Sequence, residues 1–346
     1  MKKTFAFLTL ALMVAFTAAA QDKKYQVYSV CFYNIENLFD TINNNGKYDL
    51  EFSPQGSRQW NGDKYWSKLK NIAYAISNMA TETTPMGPAV IGIAEVENIT
   101  VLQDLVKQEP IKEWRLQIVH RDSPDRRGID VAMLYNPRLF RPLNVVSTAF
   151  PTPDNNPEFR TRDQLCVTGI LGIDTVSVIV NHWPSRLGGQ EQSSYLREAA
   201  AARVMQTVDS LLAVNPNQGV IVMGDLNDDP QDTSCAKVMG GKKNANEVIE
   251  PNQFYNPWWA TLDSGVGTLA YKGQWNLFDQ IMVSQYFLGD RSHLTFLRND
   301  VLNWDFLKNT EGNYVGYPLR TYASGVFLNG YSDHFPTRIM LVREVQ

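Results

Sequence analysis

The stretch VIVMGDLNDDP, residues 220–230, begins as a buried strand should and ends in Asp225, Asn227, Asp228 and Asp229. The same event recurs along the chain. Apolar runs give way to Asn34 and Glu36, to Glu95, to Asp130, to His182 in NHWPSR, to Asp279, and to Asp333 and His334 in SDHFP. Strand ends are where loops present side chains from a rigid scaffold, so several such ends on one rim can converge on one site. Each string alone also has a plain structural reading, since Gly, Asp, Asn and Pro are turn formers. Asp279 is harder to dismiss, because a carboxylate between apolar strand residues needs a partner if buried, and a histidine is the natural partner.

Taken together, these residues supply what phosphate-ester hydrolysis requires. Carboxylate oxygens such as those of Glu95 suit a hard cation like Mg²⁺, which can neutralise charge developing on phosphate. An Asp–His pair gives an oriented general base for water. Asn and His donors can hold nonbridging oxygens as charge moves onto them.

Seven ordered strings, FYNIEN, IAEVEN, RRGIDVAMLY, NHWPSR, GDLNDDP, FDQIMVS and YSDHFP, span about residues 27–343. In this order they resemble the endonuclease/exonuclease/phosphatase superfamily, the metal-dependent phosphoesterases that include DNase I-like nucleases. The resemblance implies a four-layer α/β/β/α sandwich, two packed mixed β-sheets with helices outside and the site at one rim. Position by position, Asn34 matches a phosphate-contacting Asn and Glu95 the metal-binding Glu. Glu36 falls where some members carry a metal-near acid and others a basic residue. Asp225 and Asn227 match the pair that positions water or leaving group and binds phosphate. His334 matches the general base, Asp333 its metal-near neighbour and Asp279 the acid that orients the base. His182 resembles a second histidine of DNase I-like members, with Asp130 as its orienting acid. Arg160, Arg162 and Arg186 are candidate contacts to substrate phosphate.

The implied enzyme is a hydrolase needing Mg²⁺, with Mn²⁺ or Ca²⁺ as substitutes. It cleaves phosphodiesters, in nucleic acid or a related ester, by attack of water activated by His334. The rival readings are a phosphatase or lipid phosphodiesterase on the same scaffold and a catalytically silent binding protein. Intact Glu95, Asp225, Asn227, Asp279 and His334 argue against the last.

The elements that must position these groups are legible in outline. Strands are expected at 26–33, 89–94, 115–121, 129–135, 163–171, 174–181 and 220–223, with LFDQIMVS and TRIMLV closing the chain. Tyr65, Trp66, Leu69, Ile72, Ala73, Ile76 and Met79 recur at helical spacing, giving a helix over 64–80. A shorter helix is expected near 99–108. Leu196, Ala200, Val204, Val208 and Leu211 line one face of a further helix, capped by Ser193 or Ser194. Residues 41–62 and 151–158 read as loops. Residues 240–276 are turn-rich, and their clustered Trp258, Trp259 and Trp275 are expected first of all to cover the core.

Residues 1–20 have the order of a secretory signal, with Lys2 and Lys3, an apolar run and small residues at Ala18 and Ala20. They are excluded from the fold, which leaves one domain over 21–346 and an exported product, periplasmic or secreted. Nothing later is apolar enough to span a bilayer. The formal charge of −4 becomes −6 without Lys2 and Lys3, at 30 basic against 36 acidic residues. That balance offers no broad basic surface, so nucleic-acid binding must be local or metal-assisted. Cys31, Cys166 and Cys235 lack any zinc spacing, while one disulfide is open to them in an oxidising compartment.

Overall fold

The computed structural model describes residues 24–42, 48–153 and 156–345. The secretory signal expected over residues 1–20 lies outside the described residues.

The chain opens with β1 (Lys24–Leu38), β2 (Val90–Val96), β3 (Gln117–His120) and β4 (Asp130–Tyr135). It continues with β5 (Phe140–Thr148), β6 (Gln164–Leu171), β7 (Asp174–His182), β8 (Gly219–Asp225) and the short β9 (Gly241–Lys242) and β10 (Phe254–Tyr255). A small hairpin, β11 (Leu269–Tyr271) and β12 (Gln274–Asn276), precedes β13 (Asp279–Ser284) and β14 (Thr295–Val301). A second hairpin, β15 (Tyr322–Ala323) and β16 (Val326–Phe327), precedes β17 (Thr337–Val345). The helices are α1 (Gly62–Ser77), α2 (Ile99–Val106), α3 (Gln190–Val214) and α4 (Trp258–Asp263).

Two mixed sheets form. One has the order β14-β17-β1-β2-β4-β3 and the other β5-β6-β7-β8-β13-β10-β9. Alternation along the strands sends Val30, Phe32, Val90, Met133, Val178, Val180, Ile221, Met223 and Ile281 into the layer between the sheets. The opposite face of the first sheet packs Tyr33, Ile35, Ile91 and Ile93 against Leu69, Ile72 and Ile76 of α1 and Leu102 and Leu105 of α2. The outer face of the second sheet packs Ile179, Val220 and Val222 against Ala200, Val204 and Val208 of α3. Helix, sheet, sheet and helix therefore make the expected four layers.

Local differences have local causes. Helix α1 starts at Gly62 because Asn61 accepts from Lys64 N at 3.1 Å, a cap worth about 1 kcal/mol. Trp66 points to solvent, while Lys68 lies buried on the apolar face. Helix α3 begins three residues before Ser193, at Gln190; Ser193 is inside the helix, its hydroxyl donating back to Gly189 O. Strands β5 and β14 were not expected. Both are edge strands whose mixed sequences, FRPLNVVST with an internal Pro142 and TFLRNDV, hide the two-residue period. The 41–62 loop sends Phe52 and Trp60 into the core, with Trp60 Nε1 donating to Phe39 O at 3.0 Å. Trp258 is fully buried, as expected of a core residue, and Trp275 stacks on Phe335 beside His334. All three cysteines are free and buried, so the disulfide left open by the sequence does not form. Burial pushes the Cys31 and Cys166 thiols up to about 12. Among the described residues, no helix is long and apolar enough to cross a membrane.

Candidate active site

Register brings the site together. Strands β7 and β8 run parallel with His182 beside Asp225, and antiparallel β13 sets Asp279 opposite the same Asp225. Asn34 on β1 pairs with Ala94 on β2, and the β1–β2 register then shifts before Leu38. That irregularity carries Glu36, Asn37 and Glu95 into the left-handed region, at φ 49°, 51° and 67°, and Asn227 follows at 50°. Such backbone costs of order 1–3 kcal/mol per residue and here turns side chains toward one rim. Gly224 is required by contact, because a Cβ there would collide with Asn181 O on β7.

Asp225 is the centre. Its Oδ2 accepts from Asn34 Nδ2 at 2.9 Å across the two sheets, and its Oδ1 accepts from Asn227 N at 3.0 Å. The same Oδ2 lies 3.5 Å from His182 Nε2 and 3.8 Å from His334 Nε2. Burial is the main cause that pushes the Asp225 carboxyl up to about 6. His334 Nδ1 meets Asp279 Oδ2 at 2.7 Å, as the sequence led one to expect. Burial of the ring opposes charge on His334, but Asp279 and then Asp225 outweigh it and hold the imidazole well above its usual range. The turn carrying His334 is pinned by Ser332, whose hydroxyl donates to Asn34 O at 2.6 Å and accepts from His334 N.

The second histidine is placed otherwise. Asp130 does not orient His182: it binds His120 Nε2 at 2.9 Å and accepts from Ser123 N and the Ser123 hydroxyl. His182 Nδ1 is buried without a protein partner. Burial, and then Arg162, Arg127 and His334, hold this ring well below its usual range.

The arginines also differ from expectation. Arg160 donates to the carbonyls of Pro157 and Phe159 in its own loop. Arg162 is buried against Asp125 and donates to His182 O and Trp183 O, so it holds the β7 mouth and does not face the rim. Arg186 braces Asn227 O and the carboxylates of Asp228, Asp229 and Asp232. The sequence reading missed the cations that do meet the rim. Arg127 pairs with Glu95, its NH2 3.2 Å from Oε2, and Asn37 N donates to the same oxygen at 2.9 Å. Arg320 bridges Glu36 and Asp333 at 3.2 and 2.9 Å. Lys68 reaches Thr321 Oγ1, Tyr331 O and, at 3.9 Å, Glu36. Burial pushes Lys68 down to about 8. One signal was available, since Lys68 falls on the apolar stripe of α1, three residues from Tyr65 and four from Ile72.

These contacts test the expected cation site. Glu36 accepts from Thr321 N and Arg320 and lies 3.9 Å from Lys68, so in this structure it closes an ion-pair network. Among the described residues, Glu36, Glu95 and Asp333 do not form a group with mutual ligand distances within 4.8 Å, whereas Asp225, Asp279 and His334 do, as do His120, Asp122 and Asp130. The rim nonetheless suits a hard divalent ion. Its donors would be the carboxylate oxygens of Glu95, Asp225 and Asp333, the hard ligands such an ion prefers. Burial alone would raise Asp333, but His334, Arg320 and Lys68 keep it below the usual carboxylate range, ionised and able to ligate.

This arrangement agrees with what comparison finds. The model of the Endonuclease/Exonuclease/phosphatase family matches residues 29–343. The chain belongs to the endonuclease/exonuclease/phosphatase family. It is therefore a hydrolase acting on phosphate ester bonds. No curated protein matches the sequence. Among solved structures, a family member from Bacteroides thetaiotaomicron aligns with TM-score 0.56 at 15% identity, covering 93% of this chain and 100% of that one. Truncated TDP2 from Caenorhabditis elegans aligns at 0.54 and 16%, covering 91% and 97%. A mannosyl-6-phosphatase from B. thetaiotaomicron aligns at 0.54 and 14%, covering 91% and 99%. At these identities the likeness is one of fold, and the two packed sheets with outer helices are the family's fold.

Proposed function

We propose that this family member is an exported, Mg²⁺-dependent phosphodiesterase, acting on nucleic acid or a related diester. The observation that carries the reading is Asp225 lying between two imidazoles, with His182 Nε2 on one side and His334 Nε2 on the other. A phosphodiester needs a base for water and an acid for an alkoxide leaving group, and two rings facing one carboxylate offer both.

In this reading Glu95, with Asp333, would hold the cation, which would supply Lewis-acid neutralisation of charge on the phosphate. His334, fixed by Asp279, takes the proton of the attacking water. His182 gives a proton to the leaving oxygen. Asn34 releases one amide hydrogen bond from Asp225 to a nonbridging oxygen, while Asn227 spends a hydrogen on Trp183 O at 3.0 Å and keeps the loop in place. Arg127 and Arg320, each nearly half exposed, favour a second reading, since two cations on the rim suit the dianion of a phosphomonoester.

The deciding experiment compares the purified chain on single- and double-stranded DNA, RNA, sphingomyelin and sugar phosphates, with Mg²⁺, Mn²⁺ or Ca²⁺ and with chelator. Turnover of diesters above monoesters, lost in chelator and in Glu95→Gln, is expected. A preference for monoesters selects the phosphatase reading, and full activity in chelator ends the metal role. Export is tested by the N-terminus of the product made in cells: loss of residues 1–20 supports it, and a retained full-length chain opposes it.

A further inference from the structure

His182 serves as the proposed acid, yet its Nδ1 has no direct protein partner, since Asp130 is spent on His120. Strands β6 and β7 are antiparallel, with Leu165 opposite Val180, and both residues face the layer between the sheets. Carrying that register on by two residues sets Asp163 opposite His182, and opposed residues on antiparallel strands share a face with Cβ atoms about 5 Å apart. Asp163 Oδ1 and His182 Nδ1 are each buried without a protein partner. Both residues line one cavity of ≈ 20 Å³, and so do Gln164 and Arg203, whose Nε2 and Nε are likewise buried and unpaired. A cavity needs about 10–15 Å³ and several polar partners to hold one water. This one has both.

We infer that Asp163 is the positioning residue of His182, acting through one buried water that accepts from His182 Nδ1 and donates to Asp163 Oδ1. The inference rests on the reading of His182 as the acid. Its consequence is a division of labour between the ring nitrogens. The carboxylate keeps the proton on Nδ1, so the proton on Nε2, the atom facing Asp225, is the one transferred. As the bond from phosphorus to the leaving oxygen breaks, that proton passes from Nε2 to the oxygen, and the ring is left neutral with Nδ1–H intact. The second oxygen of Asp163 is held by the Ser147 hydroxyl at 3.4 Å, which aims the first into the cavity.

The test has a readout that needs no substrate. The chain contains four histidines, so ¹⁵N spectra of the metal-free protein, with His182→Ala for assignment, report each ring. His182 is expected to carry a slowly exchanging proton on Nδ1, and Asp163→Ala is expected to speed that exchange by about tenfold or more. An Nδ1 without a proton in the wild type overturns the inference. In turnover, Asp163→Asn and Asp163→Ala should lower kcat on a dinucleoside monophosphate about tenfold further than on bis-nitrophenyl phosphate, whose leaving group needs no proton, with KM little changed. Equal losses on both substrates would reduce Asp163 to a structural role and overturn it. If the wild type ignores diesters altogether, the proposed function fails, and the ring spectra still decide the place of Asp163.

Discussion

The two histidines look at the same carboxylate oxygen from walls of opposite character. His334 has an acid in direct contact, 2.7 Å away on the neighbouring strand, and its imidazole is pulled well above the usual range. His182 has guanidinium groups behind it, no direct partner on Nδ1, and is held well below. Identical side chains in one site are thus pushed in opposite directions by what stands behind each ring and not by the shared Asp225. A ring raised by a carboxylate is a strong base once its proton is gone. A ring depressed by burial needs help to carry a proton at all.

The largest effect that would break this comparison is loss of the base. His334→Ala and Asp279→Ala should each cost about 10²–10⁴ in kcat, and the double variant little more than the worse single one, because the pair acts as a unit. Multiplicative losses, measured in steady state, would mean the two do not share a step. Next in size, His182→Ala should cost about 10² or more on alkyl-leaving diesters and far less on bis-nitrophenyl phosphate. Equal losses would assign His182 to phosphate binding.

A third experiment sharpens the electrostatic side. Asp279 raises His334, so Asp279→Asn must lower its titration midpoint, and the neutral ring must appear at lower pH. Histidine NMR of the metal-free protein should show that downward shift, while the His182 midpoint stays below its usual range. An upward shift, or none, would remove the carboxylate as the cause. The same sign bears on stability. A histidine raised in the folded state contributes stability below its unfolded value near 6.5 and loses it as pH rises through the folded one. The smallest effect is expected at Asp130. Its carboxylate serves His120 and Ser123, so Asp130→Asn should cost about 1 kcal/mol in denaturant unfolding and leave the leaving-group preference intact.

The polar residues at strand mouths were legible because the signal is local: an apolar run ends and a chemical group follows. That located Asn34, Glu95, Asp225, Asp279 and His334; the registers of β1 with β2 and of β8 with β13 place the first four, and the turn before β17 carries the fifth. What stayed hidden were pairings between segments far apart. Glu36 is neutralised by Lys68 and Arg320, and Asp228 is held by the buried Arg197 of α3 at 2.7 Å. No spacing within one segment announces such a partner. Both buried cations did leave a trace, since Lys68 and Arg197 fall on the inward faces of their helices. A charge on an apolar stripe demands a counter-charge. The GDLNDDP cluster teaches the same lesson, for of its three aspartates only Asp225 meets the two histidines. Asp228 and Asp229 anchor α3, Ser234 and the backbone of Leu277.

Strand β17 lies inside its sheet, with β14 on one side and β1 on the other, and Val30 pairs with Ile339 across most of the chain's length. The base His334 stands directly before this strand, and the turn that bears it is tied to Asn34 on β1. The proposed base is thereby coupled to the order of synthesis, for until β17 is made β1 has an open flank and the rim lacks His334. Closure of so long-range a contact is slow compared with local helix formation. The proposed base therefore reaches the rim only after the last strand has joined the first.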